Sequence, residues 1–250
     1  STDLDLADAV EAAMLNAAST IEAAKAKLQA MMTVAIPNLS DAKLNINENI
    51  LDYSMRLADA ISRLIRAATA SQNEIVAAGR GSASKTAFYK QHNRWTEGLI
   101  SAAKAVAIAT NILVETADAV INDTKAIEDL IVAAREVSAS TVQLLAASRV
   151  KSQLHSPCQL ELEAAAKAVT DTSHELVAVV SKLAEHELAD QHDPERQRQV
   201  IEGWTVYEYK SKEMEQQVEI LKLEKDLTNA RRKLADMRRY GYHNIDDSSI

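Results

Sequence analysis

Apolar residues at Ile220, Leu223, Leu227, Ala230, Leu234 and Met237 stand 3, 4, 3, 4 and 3 residues apart. A seam repeating about every 3.5 residues wants a second helix against it. Val206 and Tyr209 precede it on the same stretch. Upstream of residue 205 the pattern changes to broader, alanine-rich stripes, the mark of helices packed on one another in a bundle. The spacing therefore predicts a helical domain over 1–190, a linker over 191–204, a dimerising helix over 205–240 and a tail over 241–250.

Five glycines and three prolines in 250 residues leave few breakers, and aromatic residues make up only 4 %. Few strand formers and few breakers together predict an all-α fold. Helices are expected over about 5–32, 50–78, from 95, from 127 and from 157. Their inward stripes are Leu6, Val10, Met14, Ala17, Ile21, Ala24, Leu28 and Met31; then Leu57, Ile61, Leu64 and Ala68; then Leu99, Ala102, Val106, Ala109, Leu113 and Val120. The last two carry Leu130, Ala134, Val137, Thr141, Leu144 and Ser148, and Leu162, Ala165, Val169, Leu176, Val180 and Leu183. Pro37 and the Asn-rich run to Asn49 read as the break after the first helix. Gly79 to Ser82 reads as a turn, and Asp193, Pro194 and Gly203 as linker marks. Residues 97–114 (EGLISAAKAVAIATNILV) align without a gap on 128–145 (EDLIVAAREVSASTVQLL), so these helices read as one repeated packing unit.

Little in the chain suggests catalysis. Histidines at 92, 155, 174, 186, 192 and 243 have neither the four-residue helical spacing of a zinc site nor a cysteine ligand nearby, so no metal and no cofactor are expected. The lone Cys158 reads as a structural or incidental thiol and suits a reducing cytosol. The carboxylates fall on polar helix faces, where solvation accounts for them. No 18-residue apolar run is present, and the acidic N-terminus lacks the basic residues of a signal peptide. A net charge of -8 argues against nucleic acid and against an anionic membrane surface, so any acidic partner must be met by a local patch. One such patch is Arg149, Val150 and Lys151, although basic residues at a helix C-terminus also simply complement the macrodipole. Trp95 and Trp204 read as core anchors.

Four segments carry a resemblance: 50–76 (ILDYSMRLADAISRLIRAATASQNEIV), 94–114 (RWTEGLISAAKAVAIATNILV), 128–151 (EDLIVAAREVSASTVQLLAASRVK) and 215–239 (EQQVEILKLEKDLTNARRKLADMRR). In order and spacing they resemble the four blocks of the talin-type actin-binding module, the I/LWEQ or THATCH domain. Residues 218–225 (VEILKLEK) look most like the huntingtin-interacting-protein and fungal endocytic adaptor branch. The resemblance implies a five-helix antiparallel bundle whose first helix can restrain actin binding, followed by a helix that dimerises, with an antiparallel dimer favoured. It also implies actin contacts on the third and fourth long helices, including a basic, apolar, basic triplet that here falls on Arg149, Val150 and Lys151. The family often has Lys at the first position, and Arg149 keeps the charge on a planar fork.

The resulting expectation is a non-catalytic F-actin-binding module, homodimeric through Ile220, Leu223, Leu227, Ala230, Leu234 and Met237, at cytoplasmic, cortical-actin endocytic sites. Coat proteins are expected to engage regions outside this chain. Three other readings stay open at this point: a structural dimerisation bundle without filament binding, a talin-like adhesion adaptor, and a membrane-surface helix built on Arg231, Arg232, Lys233, Arg238 and Arg239.

Overall fold

The computed structural model describes residues 2–34, 41–191 and 193–246. Ser1, Pro37, His192 and the tail residues 247–250 lie outside them. Among the described residues the chain forms eight α-helices and no strand: α1 (Thr2–Thr33), α2 (Asp41–Gly79), α3 (Lys85–Gln91), α4 (Asn93–Ile121), α5 (Ile127–Arg149), α6 (Pro157–Gln191), α7 (Pro194–Glu202) and α8 (Val206–Asp246). The chain divides into two units, 1–187 and 188–250.

In the first unit one apolar core collects residues from α1 to α6. α4 packs on α5 and on α1, and α1 packs on α2. The predicted stripes turn inward almost completely: Val10, Ala17, Ile21 and Leu28 of α1 and Leu57, Ile61 and Leu64 of α2 have no solvent contact. The gap-free repeat is also a repeat of burial. Leu99 and Leu130, Ala103 and Ala134, Val106 and Val137, Thr110 and Thr141, and Leu113 and Leu144 occupy matching positions and are all buried. Alanine at these positions lets helix axes approach closely, and threonine is tolerated because its hydroxyl bonds within its own helix: Thr110 Oγ1 donates to Val106 O at 2.8 Å and Thr141 Oγ1 to Val137 O at 2.9 Å. α6 is tied in by Ser173 Oγ donating to Ala134 O at 2.9 Å and by the Arg63 to Glu161 ion pair at 2.9 Å. α4 and α5 are long and apolar enough to cross a membrane by length and composition alone, and half of the α4 window is buried within the protein.

Several boundaries differ from the sequence expectation. α2 starts at Asp41, so Asn45, Asn47 and Asn49 belong to a helix and not to a break. Ile50 and Leu51 are buried and Ile46 packs against the same core, and this apolar burial outweighs the weak helix propensity of asparagine. α3 was not foreseen; Ser84 caps it, its hydroxyl accepting from Ala87 N at 3.1 Å, and it buries Phe88 and Tyr89. The expected linker over 191–204 contains α7, where Pro194 follows the Asp193 cap and starts a helix instead of breaking one. Trp95 is buried, but Trp204 is only half-buried and is not a core anchor.

Candidate functional site

Arg149 is the last residue of α5 and Val150 its C-cap. The chain then turns tightly, with Lys151 N on Ser148 O and Ser152 N on Arg149 O, both at 3.4 Å, before Ser156 caps α6 by accepting from Gln159 N at 3.1 Å. Three contacts hold this end of α5 in place. Trp95 Nε1 donates to Ala147 O at 2.9 Å, and the indole stacks on Tyr89 with ring centroids 6.3 Å apart. Ser148, buried, meets Ser71 of α2 Oγ to Oγ at 3.0 Å. Arg149 Nη2 donates to Glu163 Oε1 of α6 at 2.8 Å, and Gln159 Nε2 reaches the same oxygen at 3.4 Å. The Arg149 hydrogen bond, with that from Gln159, holds the Glu163 carboxyl below the usual glutamate range.

The three expected contact residues are therefore adjacent but face different neighbours. Arg149 leans toward α6. Lys151, half-buried, borders a groove with His92, Arg94 and Trp95 at the α3–α4 junction. Burial, and then the charge of Lys151, push the His92 imidazole below its ordinary range. Val150 stands between them at 73 % exposure, and Leu154 in the following turn is 88 % exposed. The arrangement is an apolar tip flanked by cations, suited to an acidic partner with a small apolar depression. Cys158, beside this turn, is no reactive thiolate, because its hydrogen bond with Glu74 and its burial both raise its pKa.

Sequence reading passed over Ile108 and Ile112, an exposed pair one turn apart on α4. Their signal was there: two isoleucines off the inward stripe of a helix that had no other need of them.

In the second unit, α8 opens with a reciprocal cap. Thr205 N donates to Glu208 Oε2 at 2.8 Å and Glu208 N to Thr205 Oγ1 at 3.3 Å. Every residue over 206–241 is exposed. The large seam residues Ile220, Leu223, Leu227, Leu234 and Met237 are 47 to 64 % exposed, and Ala230 is exposed with them. Isolated helices gain most of their stability by packing an apolar face, and on α8 that face is open along its length.

A sequence model described as the I/LWEQ domain matches residues 89–243. The chain is 55 % identical over 206 residues to Endocytosis protein end4 of Schizosaccharomyces pombe, covering 82 % of this chain and 18 % of that protein. It is 44 % identical over 209 residues to Protein SLA2 of Saccharomyces cerevisiae, covering 82 % and 21 %. With Huntingtin-interacting protein 1 of Homo sapiens it shares 37 % identity over 239 residues, covering 95 % and 22 %. The chain thus spans about a fifth of the length of these relatives. The match takes in the end of α5 and most of α8, and the relatives fall in the branch that residues 218–225 resemble: the chain belongs to the I/LWEQ domain family.

Proposed function

We propose that this chain is the F-actin-binding module of an endocytic adaptor, a five-helix bundle with a dimerising α8, working at cytoplasmic sites beside cortical actin. The observation that carries the reading is the end of α5, where an exposed valine stands between two cations on a chain of net charge -8. An acidic module meets an acidic filament only by aiming such a patch, and here Arg149 exchanges or shares its Glu163 partner when it meets the filament. Membership of the I/LWEQ family, and the name of one relative, Endocytosis protein end4, support the same assignment.

Dimerisation supplies avidity, since two modest heads on one filament raise each other's effective concentration. The charge pattern of α8 favours an antiparallel pair. Setting Ile220 of one copy against Met237 of the other aligns Leu223 with Leu234 and Leu227 with Ala230. The flanking positions then bring Glu224 beside Arg231 and Asp226 beside Lys233, twice each by symmetry. A parallel pair keeps Asp226 near Arg231 but sets Glu219 near Glu224 and Lys233 near Arg238.

Co-sedimentation with actin filaments tests the proposal. Arg149→Ala combined with Lys151→Ala removes two exposed or half-exposed cations, costs little fold stability and reduces the pelleted fraction. Unchanged pelleting by a folded double variant removes this patch from the filament contact. Absence of pelleting by the unaltered chain leaves a dimerisation scaffold.

A further inference from the structure

Within the second unit, α7 and the first half of α8 enclose a groove with Val200, Ile201 and Trp204 on one wall and Tyr209, Gln216 and Ile220 on the other. It is the continuation of the α8 seam. Counting heptads back from Ile220 places Gln216, Glu213, Tyr209 and Val206 at the same inward positions. At Glu213 and Gln216 the seam loses its apolar side chains, and there α7 lays Val200 and Ile201 alongside, both roughly half exposed.

The antiparallel register says what arrives at this point. With Ile220 against Met237 of a second copy, Gln217 lies beside that copy's Arg238 and Glu219 beside its Tyr240. Glu213, Glu215 and Glu219 line the groove, and one lysine, Lys212, is tied to Glu215 at 3.0 Å. The turn that reaches its Gln217 to Ile220 end carries Arg238 with the exposed apolar bodies of Met237 and Tyr240, while Arg239 falls on the outer face of the pair. We propose that the groove between α7 and α8 seats the Met237 to Tyr240 turn of a second copy's α8, so that α7 is part of the dimer interface. This rests on the reading of α8 as a dimerising helix. Two-fold symmetry gives two such seats per dimer, each pairing an acidic, apolar groove with a basic, aromatic turn.

Sedimentation equilibrium of the full chain tests the assignment with four variants: Val200→Ser with Ile201→Ser, Tyr240→Ala, the combination of these, and Leu227→Asp. The α7 variant and Tyr240→Ala each raise the dimer dissociation constant by about tenfold, the size expected of an anchor in an interface pocket. Because they act on one contact, the combined variant falls well short of the product of the two. Tyr240→Ala leaves α7 untouched, so a disturbed α7 helix does not explain its effect. A wild-type dissociation constant in either the α7 variant or Tyr240→Ala, or full multiplicativity in the combination, overturns the assignment, provided Leu227→Asp is monomeric. If Leu227→Asp stays dimeric, the seam reading itself fails and the groove loses its occupant.

Discussion

Trp95 links the core to the candidate contact patch, and replacing it with phenylalanine separates its two roles. The indole is buried, stacked on Tyr89 and edge-on to Phe88 with centroids 6.1 Å apart, while its N–H holds Ala147 O two residues before Arg149. Phenylalanine keeps an aromatic face there but removes the donor, a loss of about 1 kcal/mol. The smaller ring leaves a partly unfilled space that adds about 1–2 kcal/mol, whereas Trp95→Ala costs about 3–5 kcal/mol. In a unit of this size 1 kcal/mol corresponds to about 2–4 °C, so Trp95→Phe lowers the melting temperature by about 5–10 °C and Trp95→Ala by more. Circular dichroism melts measure this, and amide hydrogen exchange at residues 149–152 reports whether the end of α5 frays. A Trp95→Phe variant that melts within about 2 °C of the unaltered protein, with unchanged exchange over 149–152, refutes the idea that this hydrogen bond anchors the patch.

Two further predictions concern the bundle. The lowered pKa of Glu163 means that its contact with Arg149 is fully present above the ordinary carboxylate pKa and is lost as pH falls through the lowered value. A carbon-detected NMR titration therefore finds Glu163 titrating below the usual glutamate range, and Arg149→Ala moves it back up; no movement means that the pair is not formed in solution. Removing residues up to Thr33 tests α1 as a restraint. The loss of buried Val10, Met14, Ile21 and Leu28, each worth about 1.5–3 kcal/mol on burial, lowers the melting temperature, and the pelleted filament fraction rises. Aggregation of the truncated chain assigns α1 to the core alone.

The long helices were legible because their stripes persist over many turns. Leu99, Val106 and Leu113, or Leu130, Val137 and Leu144, repeat often enough that no other structure buries them all. α3 escaped notice because seven residues carry no period; only Ser84 before an aromatic pair hinted at it. α7 was hidden by the double meaning of proline, which breaks a helix from within but begins one at its first turn. The patch at Arg149 to Lys151 was visible as charge flanking an apolar residue. Its partner Glu163 was not, since it lies 14 residues away across a turn whose path no local pattern encodes. For Trp204 the size of the indole suggested the core, but its surroundings on α7 and α8 are too thin to enclose it.

The alanines buried inside the bundle make its tolerance of change one-sided. Ala102, Ala103, Ala134 and Ala165 have no solvent contact. Where a methyl group sets the distance between helices, no smaller spacer remains except glycine, and every larger one acts as a wedge. Valine at Ala103 or Ala134 does not merely crowd a neighbour, because a rigid helix pushed outward at one turn tilts along its whole length. A few added carbon atoms in the interior thereby shift the exposed ends of α4 and α5, the candidate patch at Val150 among them.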